Sequence, residues 1–153
     1  MNLPRDAYGD GRPARSVDAG RLWTGGVATA LVAALVALVG VLIARGLFEV
    51  PVLAPTDEGT LGNASTFRLA AFAAAAALLA TGLLHLLLLS TPQPRRFFTW
   101  IITLATIAAA LVPFLTDADL DEKVATSAIT LVVGVAIGSL LSGVARSAIR
   151  TEP

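Results

Sequence analysis

The sequence predicts an all-α protein, a four-transmembrane-helix antiparallel bundle with a disordered N-terminal tail. Three observations carry this. Hydrophobic residues make up 56% of the chain and charged residues only 14%, where a soluble domain carries about 25% charged. Four apolar stretches have no charged side chain in their interiors, and each approaches the ~20 residues that a helix needs to cross a hydrocarbon core of ~30 Å. Finally, the arginines gather in alternate connections between these stretches, as they do when a chain threads back and forth across a bilayer.

The 153 residues leave room for four spans and short connections, hence one domain. It covers 22–146, with helices at about 22–45, 68–90, 96–115 and 122–146, between an N-terminal tail at 1–21 and a C-terminal tail at 147–153. The N-terminal tail is rich in Arg, Asp, Gly and Pro, with one aromatic (Tyr8) and no apolar period, so it cannot bury enough surface to offset its ordering entropy. Arg5, Arg12, Arg15 and Arg21 can touch anionic headgroups, but Asp6, Asp10 and Asp18 weaken that attraction, and a solvated tail is the plainer reading. A cleaved signal peptide competes for the first span. Its apolar core would run about 7–15 residues and end at a small-x-small site. Here Trp23–Ala44 is longer and ends in Ala44-Arg45-Gly46, which reads as a retained anchor.

In the second span Ser65 or Thr66 is the expected N-cap, since a hydroxyl there accepts from the first orphan amides. Before the fourth span, Asp119-Leu120-Asp121-Glu122 reads as a capping box with acids at the positive end of the helix dipole. Arg95 and Arg96 in the second connection, with the arginines of both tails, place both termini in the cytoplasm; Arg45, Arg68 and Lys123 lie on the other side. Trp23, Phe97, Phe98 and Trp100 would form an inner aromatic belt, and Phe48, Phe67 and Phe114 an outer one. The tight Pro92–Arg96 connection makes spans two and three a hairpin. The stretch Leu47–Pro55, apolar but broken by two prolines, is expected in the outer interface or folded onto the bundle. Asn63-Ala64-Ser65 matches a glycosylation sequon by spacing alone, and the composition reads as bacterial.

Helices in lipid gain little from apolarity against each other, so small residues that allow close approach mark packing faces. Span four carries Thr126, Thr130, Gly134, Gly138 and Ser142 at steps of four, and span one carries Gly26, Ala30, Ala33, Ala37, Gly40 and Ala44 at alternating steps of four and three. The Gly134/Gly138 face is either a dimer interface or, more simply, packs on span one or three of the same bundle. Span three repeats the pattern with Thr99, Thr103, Thr106 and Ala110. Its hydroxyls can line an ion path, or bond to their own helix one turn back.

Only two ionisable groups touch the spans, and such residues are functional suspects by default. Arg45 ends span one, with Glu49 an i, i+4 partner if the helix continues, and it can snorkel to the headgroups. His85 lies in Leu83-Leu84-His85-Leu86-Leu87, toward the cytoplasmic end of span two. A neutral imidazole there would bond a threonine or carbonyl of a neighbouring helix; a proton relay or ligand role is the alternative, and haem ligation would need a second His85 from a symmetric copy. Arg45 and His85 lie toward opposite faces and are not expected to pair. The acids at 117–122 lack the glycine turn and register of a calcium loop. Pro113 is positioned to kink span three.

No cysteine is present, which excludes disulfides and thiolate chemistry, and balanced charge suggests no nucleic-acid partner. No catalytic motif appears, so no enzyme and no cofactor are expected. The expected partners are the lipid bilayer and a second copy or another membrane protein.

The chain resembles a family of small, uncharacterised four-span membrane proteins found mainly in actinobacteria. The residues are Arg21-Leu22-Trp23, Ala44-Arg45-Gly46-Leu47 with Pro51-Val52-Leu53, the run Leu84–Pro92 followed by Phe97-Phe98-x-Trp100, Leu111-x-Pro113-Phe114, and Gly134-x-Ala136-Ile137-Gly138-Ser139-Leu140. The resemblance covers about 21–146 and implies topology and a bacterial plasma-membrane location, with no assigned activity. Two functions follow as expectations: a non-catalytic membrane protein associating through small-residue faces, or a small transporter or channel component with His85 and the threonines lining a polar path.

Overall fold

The computed structural model describes residues 16–47 and 63–150. Four long helices dominate: α1 at Ala19–Leu47, α2 at Asn63–Ser90, α3 at Pro94–Leu111 and α4 at Leu120–Ala148. Each lies within or largely fills a segment long and apolar enough to cross a membrane: Ala19–Gly46, Thr66–Ser90, Pro94–Leu115 and Leu120–Ser147. The fold is the expected four-helix bundle. The expectations for residues 1–15 and for the part of the Leu47–Pro55 stretch beyond Leu47, with Phe48 in the outer belt, lie outside the described residues.

Helix α1 starts before the expected position 22 because Asp18 caps it. The Asp18 carboxylate accepts from the Arg21 amide at 3.1 Å, the Asp18 carbonyl accepts from the Leu22 amide at 3.1 Å, and the Arg21 guanidinium lies 3.7 Å from the carboxylate. Just before it, Ser16–Val17 (β1) pairs antiparallel with Ile149–Arg150 (β2), Ser16 opposite Arg150. This two-residue pair, unforeseen in the sequence, ties the start of α1 to the end of α4. Helix α2 begins at Asn63, so Ser65 and Thr66 lie inside its first turn rather than at its cap. Helix α4 follows Asp119, whose carbonyl accepts from the Lys123 amide at 3.1 Å, with Asp121 and Glu122 in the first turn.

Pro113 ends α3 early. Lacking an N–H, it cannot bond the Ala109 carbonyl, which accepts instead from the Val112 amide, and the chain tightens into a 3-10 turn at Val112–Leu115.

The helices alternate in direction around the bundle, α1 packing most extensively on α2 and then on α4, while α3 rests chiefly on α4. The centre is built from alanines of α1 and α2 facing β-branched residues of α4. Ala30, Ala33 and Ala37 of α1, Ala73, Ala77 and Ala80 of α2, and Ile129, Val133 and Ile137 of α4 form one buried cluster. Toward the end that carries Arg21, Arg95, Arg96 and Arg146, the cluster is closed by Leu22, Leu84, Phe98 and Leu141. Phe98, expected in the interfacial belt, is only 1% exposed, whereas Phe97 and Trp100 are 54% and 62% exposed and face outward. Leu31, Leu35, Leu42, Leu79, Leu104 and Val135 also point outward. An apolar exterior around an apolar interior is the pattern of a bundle solvated by lipid.

Candidate functional site

Gly26, Gly40, Gly134 and Gly138 each sit against another helix of the same chain. A Cβ on Gly26 would lie 2.9 Å from the Thr81 Cβ of α2, and one on Gly40 3.0 Å from Ile129 Cγ1 of α4. On Gly134 it would lie 2.8 Å from the Thr106 Cβ of α3, and on Gly138 3.2 Å from Ile102 Cγ2. A missing Cβ lets the axes approach, and the attraction between helices this close is dispersion rather than hydrophobic transfer. Spacing alone does not separate the two faces of α4. The Gly134, Gly138 and Ser142 face is half-buried under α3, while the deeper face carries Ile129, Val133, Ile137, Leu141 and Ala145.

The hydroxyls mostly turn back on their own helices. Thr29 donates to the Gly25 carbonyl at 2.8 Å, Thr81 to Ala77 at 2.8 Å, Thr99 to Arg95 at 2.9 Å, Thr130 to Thr126 at 2.8 Å and Ser142 to Gly138 at 2.7 Å. Ser127 differs. Its buried Oγ crosses from α4 to donate to the Ala110 carbonyl of α3 at 2.7 Å. The spacing of small residues in span four does not single out Ser127. The available signal is Pro113, which marks where α3 runs out of main-chain donors.

Arg45 is half-buried, and its Nη1 donates to Thr66 Oγ1 at 3.3 Å, joining the end of α1 to the start of α2. Its expected partner Glu49 lies outside the described residues. His85 is half-buried toward the opposite end of α2, roughly 28 Å from Thr66 along the helix at ~1.5 Å per residue. The structure does not bring Arg45 and His85 together. The His85 Nδ1 is buried and has no hydrogen-bond partner among the described residues, so the expected bond to a neighbouring helix is not made at that atom.

Among the described residues, grooves run along the outside of the bundle between several helix pairs. One of about 690 Å³ lies between α1 and α4, lined by Leu35, Val39, Ile43 and Val132, with Asp121 at its end. A second of about 490 Å³ lies where α2 stands apart from α3, lined by Ala76, Leu83, Ala105, Ala109 and Thr130. A third of about 380 Å³ follows the seam between α3 and α4, past Thr99, Thr103 and Ser139. His85 lines none of these three. Among the described residues, no three His, Asp or Glu side chains are grouped to hold a metal ion.

This geometry supplies packing surfaces and a single orphaned imidazole nitrogen in a multi-pass membrane protein. No curated protein and no solved structure matches the chain. One family model does, over residues 17–147, almost the whole of the bundle: the chain belongs to DUF6069, a family of unknown function.

Proposed function

We propose that the chain is a non-catalytic integral protein of a bacterial plasma membrane, with both termini cytoplasmic, that works by associating with a second copy or another membrane protein. The observation that carries this is the closed interior. Leu22, Leu84, Phe98 and Leu141 fill the arginine-bearing end of the core, each 1% exposed or less. The threonines of α1 and α2 that are buried beside the core bond their own backbones, which supports a packed bundle over a polar path. Because Gly26, Gly40, Gly134 and Gly138 are engaged within the bundle, the association face in this reading is the alanine-lined groove between α2 and α3, beside Ala76 and Ala105. The chain contains no cysteine, so Ala76→Cys or Ala105→Cys introduces a single thiol. Disulfide crosslinking in native membranes should trap a dimer or a heteromeric adduct through these positions and not through Leu35→Cys on α1. Equal yields at all three would overturn the face.

The buried, unpartnered His85 Nδ1 favours a second reading, a small transporter or channel component with His85 and the α3 and α4 threonines along a polar path. Proton flux into liposomes that is lost in His85→Ala would support it; no flux with either protein removes it.

A further inference from the structure

At the end of the bundle where α3 starts and α4 finishes, Arg95, Arg96 and Arg146 stand without counter-charge among the described residues. Gly134 lies against Thr106 and Gly138 against Ile102 in an antiparallel pair, so the same register sets Ser142 beside Phe98 and Arg146 at the level of Pro94 and Arg95. Arg95 is one turn before Thr99, whose hydroxyl bonds the Arg95 carbonyl, and Thr99 lines the α3–α4 cleft. Arg146 is one turn after Ser142, which also lines the cleft, and its Nε donates to the Ser142 carbonyl at 3.3 Å. Both arginines therefore stand at the mouth of the cleft, with Arg96 adjacent. All three are exposed, and no carboxylate among the described residues pairs with them, whereas Arg21 has Asp18.

Below this mouth the cleft runs from Ser142 to Leu131, past Phe98, Ile102, Ile107 and Val135. That is ~16 Å at ~1.5 Å per residue, about half of a ~30 Å hydrocarbon core. Exposed Phe97 and Trp100 lie at the same end, the depth at which aromatic rings meet headgroups. A phosphate at the mouth joined to an alkyl chain in the cleft meets both features. We infer that the α3–α4 cleft is a binding site for an anionic phospholipid, its phosphate held by Arg95 and Arg146 with Arg96 beside them and one acyl chain lying along the cleft. Guanidinium–phosphate bonds are short, charge-assisted and geometrically selective, and the anion relieves repulsion between neighbouring cations. The inference rests on the chain being embedded in lipid but on neither the α2–α3 association face nor the orientation of the termini.

Native mass spectrometry of the full chain in detergent micelles tests it, with dioleoylphosphatidylglycerol set against dioleoylphosphatidylcholine so that the acyl chains are the same. The anionic lipid should be retained about tenfold more tightly, and the R95Q/R146Q variant should abolish the preference while Arg21→Gln keeps it. Equal retention of the two lipids, or a preference that survives R95Q/R146Q, overturns the site. Displacement by glycerol 3-phosphate at matched concentration overturns the lipid in favour of a free phosphate. If the double variant does not purify folded, Arg146→Gln alone, at an exposed helix end, should lower the preference several-fold, and no change there sinks the proposal. Extraction of the chain by alkaline carbonate would refute the membrane reading itself, a result separable from any of these.

Discussion

The hydroxyl of Ser127 on α4 donates to the carbonyl of Ala110 on α3 at 2.7 Å, both residues buried. The bond exists because Pro113 breaks the ladder of α3, and the Ala110 carbonyl takes a donor from the next helix. Away from water such a carbonyl has no other easy partner.

Ser127→Ala should lower stability by about 1 kcal/mol, within the range for a hydrogen bond between membrane helices, read from reversible unfolding in mixed micelles. In a Pro113→Ala background the loss should shrink. The α-helix can then continue, and the Phe114 amide can reach the Ala110 carbonyl. Additive losses in the double variant would contradict this coupling.

Gly26→Ala puts a methyl 2.9 Å from the Thr81 Cβ, so α1 and α2 must move apart, at a loss of about 1–3 kcal/mol. Gly82→Ala meets nothing within 4 Å and should be neutral or gain up to about 1 kcal/mol from helix propensity. Thermal inactivation midpoints for the two variants should move in opposite directions or differ clearly in size.

Phe98→Ala empties the arginine-bearing end of the core and should cost about 3–5 kcal/mol, while Phe97→Ala, on the outward face, should stay within about 0.5 kcal/mol. Similar values for the adjacent pair would place Phe98 in the lipid after all. The comparison uses the same unfolding measurement for both.

Asp18→Ala removes the cap of α1 and should cost about 1 kcal/mol. Little of that comes from the exposed Arg21 pair, so Arg21→Gln should be nearly silent. Hydrogen exchange at the Arg21 and Leu22 amides should rise in Asp18→Ala and remain low in Arg21→Gln.

The number, order and type of the helices were legible in the sequence because the bilayer asks only for length and apolarity, and both are sums over a window. On α1 the four–three spacing puts Gly26, Ala30, Ala33, Ala37, Gly40 and Ala44 on one face; in the bundle Gly40 is half-buried and the other five are buried. What tertiary structure decided was which of several equivalent apolar faces meets which neighbour. In a chain where nearly every side chain is apolar, hydrophobicity does not distinguish inside from outside, so Phe97 and Phe98 looked alike and α4 offered two period-four faces. Steric fit settled both, with α3 covering Gly134 and Gly138, Phe98 filling the end of the core, and Ser127 meeting a carbonyl that only the break at Pro113 exposes.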